Sequence, residues 1–174
     1  MRANLLAVVG LLAAGAAVAS AQEFTPFTSP AGRYKAVFPG EVKTDTTDIK
    51  AGKDGKQLLK LTLDTVELKG NTVFLVSFVD ATDEVAKAPA AQRLDKVRDG
   101  NKGTGGKVVS EQDIALGKDK YPGRDILLET PNGYIRNRAV IAGNRLYQVM
   151  VQGSKEVVSS PSADKFIASF EITK

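Results

Sequence analysis

Arg136 and Arg138 stand two positions apart in an alternating segment, with Arg124 at the start of the segment before and Arg145 in the segment after. Residues two apart on a strand share one face, and a guanidinium is a planar fork of donors that matches carboxylate and phosphate. If these segments pair as hairpins, Arg124, Arg136, Arg138 and Arg145 form a basic strip across one region of a sheet, with Tyr121 and Tyr134 nearby. Such a strip suits an anionic ligand, a phospholipid surface or an acidic partner. The plainer reading is a solvated sheet face whose charges also discourage edge pairing.

Other chemistries are narrowed by what the chain lacks. It contains neither His nor Cys. The usual general base, structural zinc sites, thiol nucleophiles and triads built on imidazole are therefore unavailable. Carboxylate chemistry, Ser-Lys pairs and hard-cation sites remain. Ser159, Ser160 and Ser162 beside Lys155 or Lys165 are better explained as helix caps. The acids Asp45, Asp48 and Asp54, and Asp80, Asp83 and Glu84, sit near turns without the loop pattern of a calcium site. The Gly-rich run from Gly100 to Lys107 is followed by Val108 and lies between a helix and a strand, the reverse of a phosphate-binding loop. No catalytic residue, metal ligand or cofactor is assigned. A carboxylate-based hydrolase and a carrier of lipid or another hydrophobic ligand stay open as alternatives to a non-enzymatic binding role.

The N-terminus supplies an address. Arg2 precedes an apolar run from Leu5 to Val18, which closes on Ala19-Ser20-Ala21. This is the pattern of a secretory signal peptide over residues 1–21. The run, roughly 14 residues, is shorter than a membrane-spanning helix requires. The expected product is a soluble domain over residues 22–174, periplasmic or secreted, with no disulfide and no lipid-anchoring Cys. The formal charge of +4 includes Arg2, so the domain carries about +3, a mild excess. Nucleic acid is not an expected partner of an exported chain. The oligomeric state is not readable.

The elements that must position the arginines follow from periodicity. Residues 22–31 read as a lead-in, and Tyr34, Ala36 and Phe38 then share one face of a strand that stops at Pro39-Gly40. A polar stretch over 42–50 leads to a hairpin turn at Asp54-Gly55. Leu59, Leu61 and Leu63 alternate with polar residues, as on a sheet with one wet face. Val73 to Val79 is apolar on both sides, which predicts an interior strand covered on both faces. Ala90, Leu94 and Val97 predict a helix between Pro89 and Gly100. Strands follow over Val108–Leu116, Tyr121–Glu129, Tyr134–Ala142 and Arg145–Gln152, with Asn132-Gly133 and Gly143-Asn144 among the turns. Ser160, Pro161 and the stripe Ala163, Phe166, Ile167, Phe170 predict a closing helix. The fold class is α+β, a mostly antiparallel β-sheet covered by two helices.

The segments Ser29-Pro30-Ala31-Gly32-Arg33-Tyr34 through Phe38-Pro39, then Asn144-Arg145-Leu146-Tyr147, and finally Asp164, Phe166 and Ser169-Phe170 resemble the opening strand, last strand and terminal helix of PsbP-like domains. The chain is also similar to short uncharacterised secreted proteins of environmental bacteria, through Tyr121-Pro122-Gly123-Arg124 and Asn144 to Tyr147. The resemblance implies an α/β/α sandwich and a non-enzymatic role, often within an envelope protein complex. It carries over no ligand residue.

Overall fold

The computed structural model describes residues 23–51 and 57–173. The expected signal peptide and the Asp54-Gly55 turn lie outside the described residues. The alternating segments form a seven-stranded sheet in which every pairing is antiparallel. Its strands are β3 (Lys43–Ala51), β4 (Gln57–Leu68), β5 (Thr72–Asp80), β6 (Lys107–Leu116), β7 (Tyr121–Thr130), β8 (Gly133–Ala142) and β9 (Arg145–Gly153). They lie in the order β3-β4-β5-β9-β8-β7-β6. A second, three-stranded sheet in the order β1-β2-β10 comprises β1 (Thr25–Ser29), β2 (Tyr34–Phe38) and β10 (Glu171–Ile172).

The helices cover opposite faces of the large sheet. On one face, Leu94 of α2 (Ala90–Lys102) buries itself against Ala139 and Ile141 of β8. On the other, α3 (Lys155–Val158) and α4 (Pro161–Ala168) join the small sheet over the main core. That core sets Phe74, Val76, Tyr147, Val149 and Val151 of the large sheet against Tyr34, Ala36 and Phe38 of β2 and Phe166 and Ile167 of α4. Phe166 stands edge-on to both Phe38 and Phe74, with ring centroids 5.0 and 5.3 Å apart. Edge-to-face contacts of this kind add about 0.5–1.5 kcal/mol beyond burial. Ser160 caps α4 by accepting a hydrogen bond from the Ala163 backbone N–H, and Pro161 takes the first turn, as its missing donor permits.

Four expectations change. The lead-in is a strand, β1, in which Pro26 is tolerated because it lies at the edge of the small sheet. The polar stretch before Asp54 is the edge strand β3, exposed along most of its length and so free of any burial pattern. The helix does not stop at Gly100 but continues to Lys102, where Gly103 takes φ 60°. The Gly-rich loop shrinks accordingly to the few residues before β6. Finally, Leu59, Leu61 and Leu63 face away from the main core, whose β4 contributions are Asp64 and Val66. β5 is interior as expected: its Phe74, Val76 and Phe78 side is buried, and on the other side Ser77 is buried while Val73, Leu75 and Val79 are half-buried. A short helix α1 (Asp83–Ala86), capped by Thr82, precedes α2.

Candidate functional site

The β7–β8 hairpin turns through Pro131 and Asn132, with Thr130 paired to Gly133. A two-residue turn sets even-numbered β7 residues opposite odd-numbered β8 residues. Arg138 is therefore opposite Asp125, while Arg124 is opposite Ala139. Side chains alternate between faces. Arg136 and Arg138 thus point to the main-core side and Arg124 to the α2 side. The strands pair as the turns predict, yet the register splits the basic strip.

Arg136 and Arg138 line a cavity of about 440 Å³ beside α3 and α4. Ser110, Gln112 and Asp125 border it from β6 and β7, and Ile167 from α4. Arg138 grips Asp125 bidentately, Nε to Oδ1 and Nη2 to Oδ2, both at 2.7 Å, and its Nη1 donates to the Ile167 carbonyl. A carbonyl at the end of a helix is a favourable acceptor for a cation. Arg136 is less committed. Its Nη1 donates to Asp164 Oδ1 at 2.6 Å and to the Val158 carbonyl at 3.3 Å. Its Nε and Nη2 make no hydrogen bond among the described residues. Arg136 therefore keeps donors open to an acceptor-rich group.

Arg124 is held differently. Its Nε donates to Asp113, and its Nη1 to both Asp95 at 2.7 Å and Glu111 at 2.6 Å. The bond to Asp95 raises its pKa most, against the opposing effect of burial. Arg98 donates to Asp95 and Glu111 from the side. Asp95 and Glu111 thus converge as a carboxylate hydrolase would require, but a guanidinium fills the space between them.

Arg145 lies on the main-core side at the far end of β9. It forks to Asp80 with two bonds of 2.7 Å, donates to the Ala31 carbonyl and lies 5.0 Å from the centre of the Phe78 ring. Its hydrogen bond holds the Asp80 carboxyl below the ordinary range. Tyr121 shares a surface recess with Arg145 and Arg33. Tyr134 pairs with Glu129 and Gly153, packs on the main core and shares the face of Arg136, two residues along β8. Sequence reasoning missed Asp125, Asp164, Gln112 and Ser110 as neighbours of the arginines. Asp125 was within reach, because the two-residue turn sets it opposite Arg138.

No family model matches this sequence, and no curated protein does. The architecture does have a counterpart. The solution structure of cyanobacterial PsbP (CyanoP) from Synechocystis sp. PCC 6803 aligns with a TM-score of 0.53, over 90% of this chain and 96% of that one. The fold is PsbP-like. Sequence identity is 8%, so the likeness is one of architecture. In this PsbP-like domain no described helix is long and apolar enough to cross a membrane. Among the described residues, no three acidic side chains group as a metal site.

Proposed function

We propose that this PsbP-like chain is an exported, non-enzymatic domain that binds a partner protein or a small anionic ligand in the cell envelope, through the cavity at Arg136 and Arg138. The observation that carries this reading is Arg136 itself. It presents unused guanidinium donors to a concave site whose other charged side chains are already engaged, Arg138 with Asp125 and Glu111 with Arg124. A group that brings acceptors gains charge-assisted hydrogen bonds there without breaking the Arg138–Asp125 pair.

The non-enzymatic part is supported by the lack of His and Cys and by the guanidinium lodged between Asp95 and Glu111. The lipid-carrier reading fits less well, because charged side chains border this cavity.

Native mass spectrometry of the protein isolated from its own envelope fraction tests the proposal, with the Arg136→Gln variant beside it. The expected result is a retained ligand or partner on the wild type, lost from the variant, and a mature N-terminus at Gln22. A bare monomer in both preparations would overturn it.

A further inference from the structure

Arg136, Arg138 and Arg145 share the main-core side of the large sheet, and two of them show how such an arginine is completed. Arg138 and Arg145 turn the same guanidinium edge to a carboxylate. Nε donates to one Asp oxygen and Nη2 to the other, all at 2.7 Å, with Asp125 and Asp80 as the acceptors. That edge carries two parallel N–H groups, spaced to match the two oxygens of one planar acid. In both residues Nη1 donates instead to a main-chain carbonyl, that of Ile167 and that of Ala31. Arg136 repeats half of this pattern. Its Nη1 donates to the Val158 carbonyl and to Asp164, while its Nε and Nη2 have no partner among the described residues.

The empty edge can be reached. The Arg136 side chain is 32% exposed and lines the 440 Å³ cavity, a volume within the range of small-molecule sites. Among the described residues only Asn137 Oδ1 is buried without a partner, so neither open nitrogen of Arg136 is sealed from solvent. We infer that the Nε–Nη2 edge of Arg136 is the headgroup site of a small hydroxylated monocarboxylate. This rests on the cavity being a binding site, and it adds which anion the cavity takes.

Charge separates carboxylate from phosphate. Arg136 is balanced by Asp164, Arg138 by Asp125, and Glu111 at the border by Arg124. A carboxylate adds one negative charge to this even set. A phosphate ester adds about −1.5 to −2 at neutral pH, beside Asp164. The lining sets the body of the ligand. Ser159 follows Val158, whose carbonyl holds Arg136, and its hydroxyl has no hydrogen bond among the described residues. Leu127, opposite Arg136 on β7, lies under the next part of the cavity. Ser110 and Gln112, also without side-chain partners, stand on β6, two strand spacings or roughly 10 Å from β8. Hydroxyls near the acid meet Ser159, and those at the far end face Gln112.

Three probes built on a single ring test this. Glucuronate carries the acid and the hydroxyls. Cyclohexanecarboxylate keeps the acid on a bare ring, and glucose 1-phosphate keeps the hydroxyls but changes the headgroup. Each is titrated at neutral pH into nitrogen-15-labelled protein running from Gln22 onward, which carries every described element, while the arginine Nε signals are followed. Glucuronate is expected to bind about ten-fold more tightly than either of the others, the effect of one or two hydrogen bonds. Arg136 Nε should move toward the signals of Arg138 and Arg145, which already face a carboxylate, while those two stay in place. Arg136→Lys keeps the charge but has no planar edge, so it should lose the preference for glucuronate over glucose 1-phosphate. Ser159→Ala should bring glucuronate down toward cyclohexanecarboxylate and leave the latter unchanged.

Glucose 1-phosphate binding as tightly as glucuronate overturns the carboxylate headgroup. Cyclohexanecarboxylate binding as tightly overturns the hydroxylated body. A folded Arg136→Lys variant that retains the preference overturns the role of the edge. If circular dichroism shows that variant unfolded, the ranking of the three probes on the wild type decides. If no probe moves Arg136 Nε while native mass spectrometry still retains a mass that Arg136→Gln loses, the cavity stands as a site and the monocarboxylate falls. If neither experiment finds a bound species, both fall.

Discussion

Tyr34 Oη donates to Asp64 Oδ2 across 2.5 Å, joining the small sheet to the large one. Both residues are buried, and Thr44 Oγ1 holds the other oxygen of the same carboxylate. A buried carboxylate that loses a donor keeps its desolvation cost without compensation. Tyr34→Phe should therefore destabilise the domain by about 2–3 kcal/mol, on the scale of a lost hydrogen bond to a charged group. Urea unfolding should show a lower midpoint with an unchanged slope. An unshifted midpoint would mean that this bond does not couple the sheets.

Alkaline pH should act through the same phenol. Burial first, and then the Asp64 bond, push the Tyr34 pKa far above the ordinary tyrosine value, and burial also raises Tyr147. The folded state then keeps protons that the unfolded state releases above about pH 10. The stability from these groups is fully present below that pH and declines as pH rises beyond it. Of the four tyrosines, Tyr34 and Tyr147 should ionise only as the domain unfolds. Phenolate absorbance and far-ultraviolet circular dichroism, recorded together, check this. All four phenols ionising with secondary structure intact would refute it.

Gly32 is needed for space. A Cβ there would lie 2.6 Å from Tyr34 Cδ1 and 2.8 Å from Phe78 Cε1, both core rings. Gly32→Ala should cost about 1–3 kcal/mol, the usual range for overpacking. A fall in melting temperature reports it. An equally stable variant would show that the rings can shift at little cost.

Arg124→Leu should expose a repulsion now masked. Asp95 and Glu111 share Arg124 Nη1, and without it only Arg98 lies between them. The expected loss is about 1–2 kcal/mol, kept small because the acids can turn toward water. Added salt should restore part of the variant's stability while doing little for the wild type, since screening weakens repulsion between exposed charges. Urea midpoints at low and high salt read the difference. Parallel salt responses would show that the acids do not interact.

Legibility in the sequence followed burial. Tyr147, Val149 and Val151 alternate because one side of β9 is core, and Phe166 and Ile167 repeat at helical spacing because α4 lies on that core. β1 and β3 carried no such pattern, since edge strands bury too little to impose one. α2 ran past Gly100 because one glycine in an exposed turn costs only about 1 kcal/mol. Asn101 in the following position is tied by its Nδ2 to Gln148 Oε1. The site was half legible. Arg136 and Arg138 share a face by simple spacing. Placing Arg124 on the other face needed the register of a second strand. Ser110 and Gln112 joined them through a sheet neighbour that spacing within β8 does not reveal.

The small sheet joins the two ends of the described chain: β10 pairs with β2, and the Thr173 backbone N–H donates to the Arg33 carbonyl. Phe166 and Phe170 arrive from the same late segment to pack on Phe38 and Tyr34. Contacts between such distant residues must close a long loop before they reward it, which slows folding. A chain emerging from its N-terminus therefore holds an unfinished interior until its last helix appears, and shortening it by even that one segment removes the stopper from the whole body.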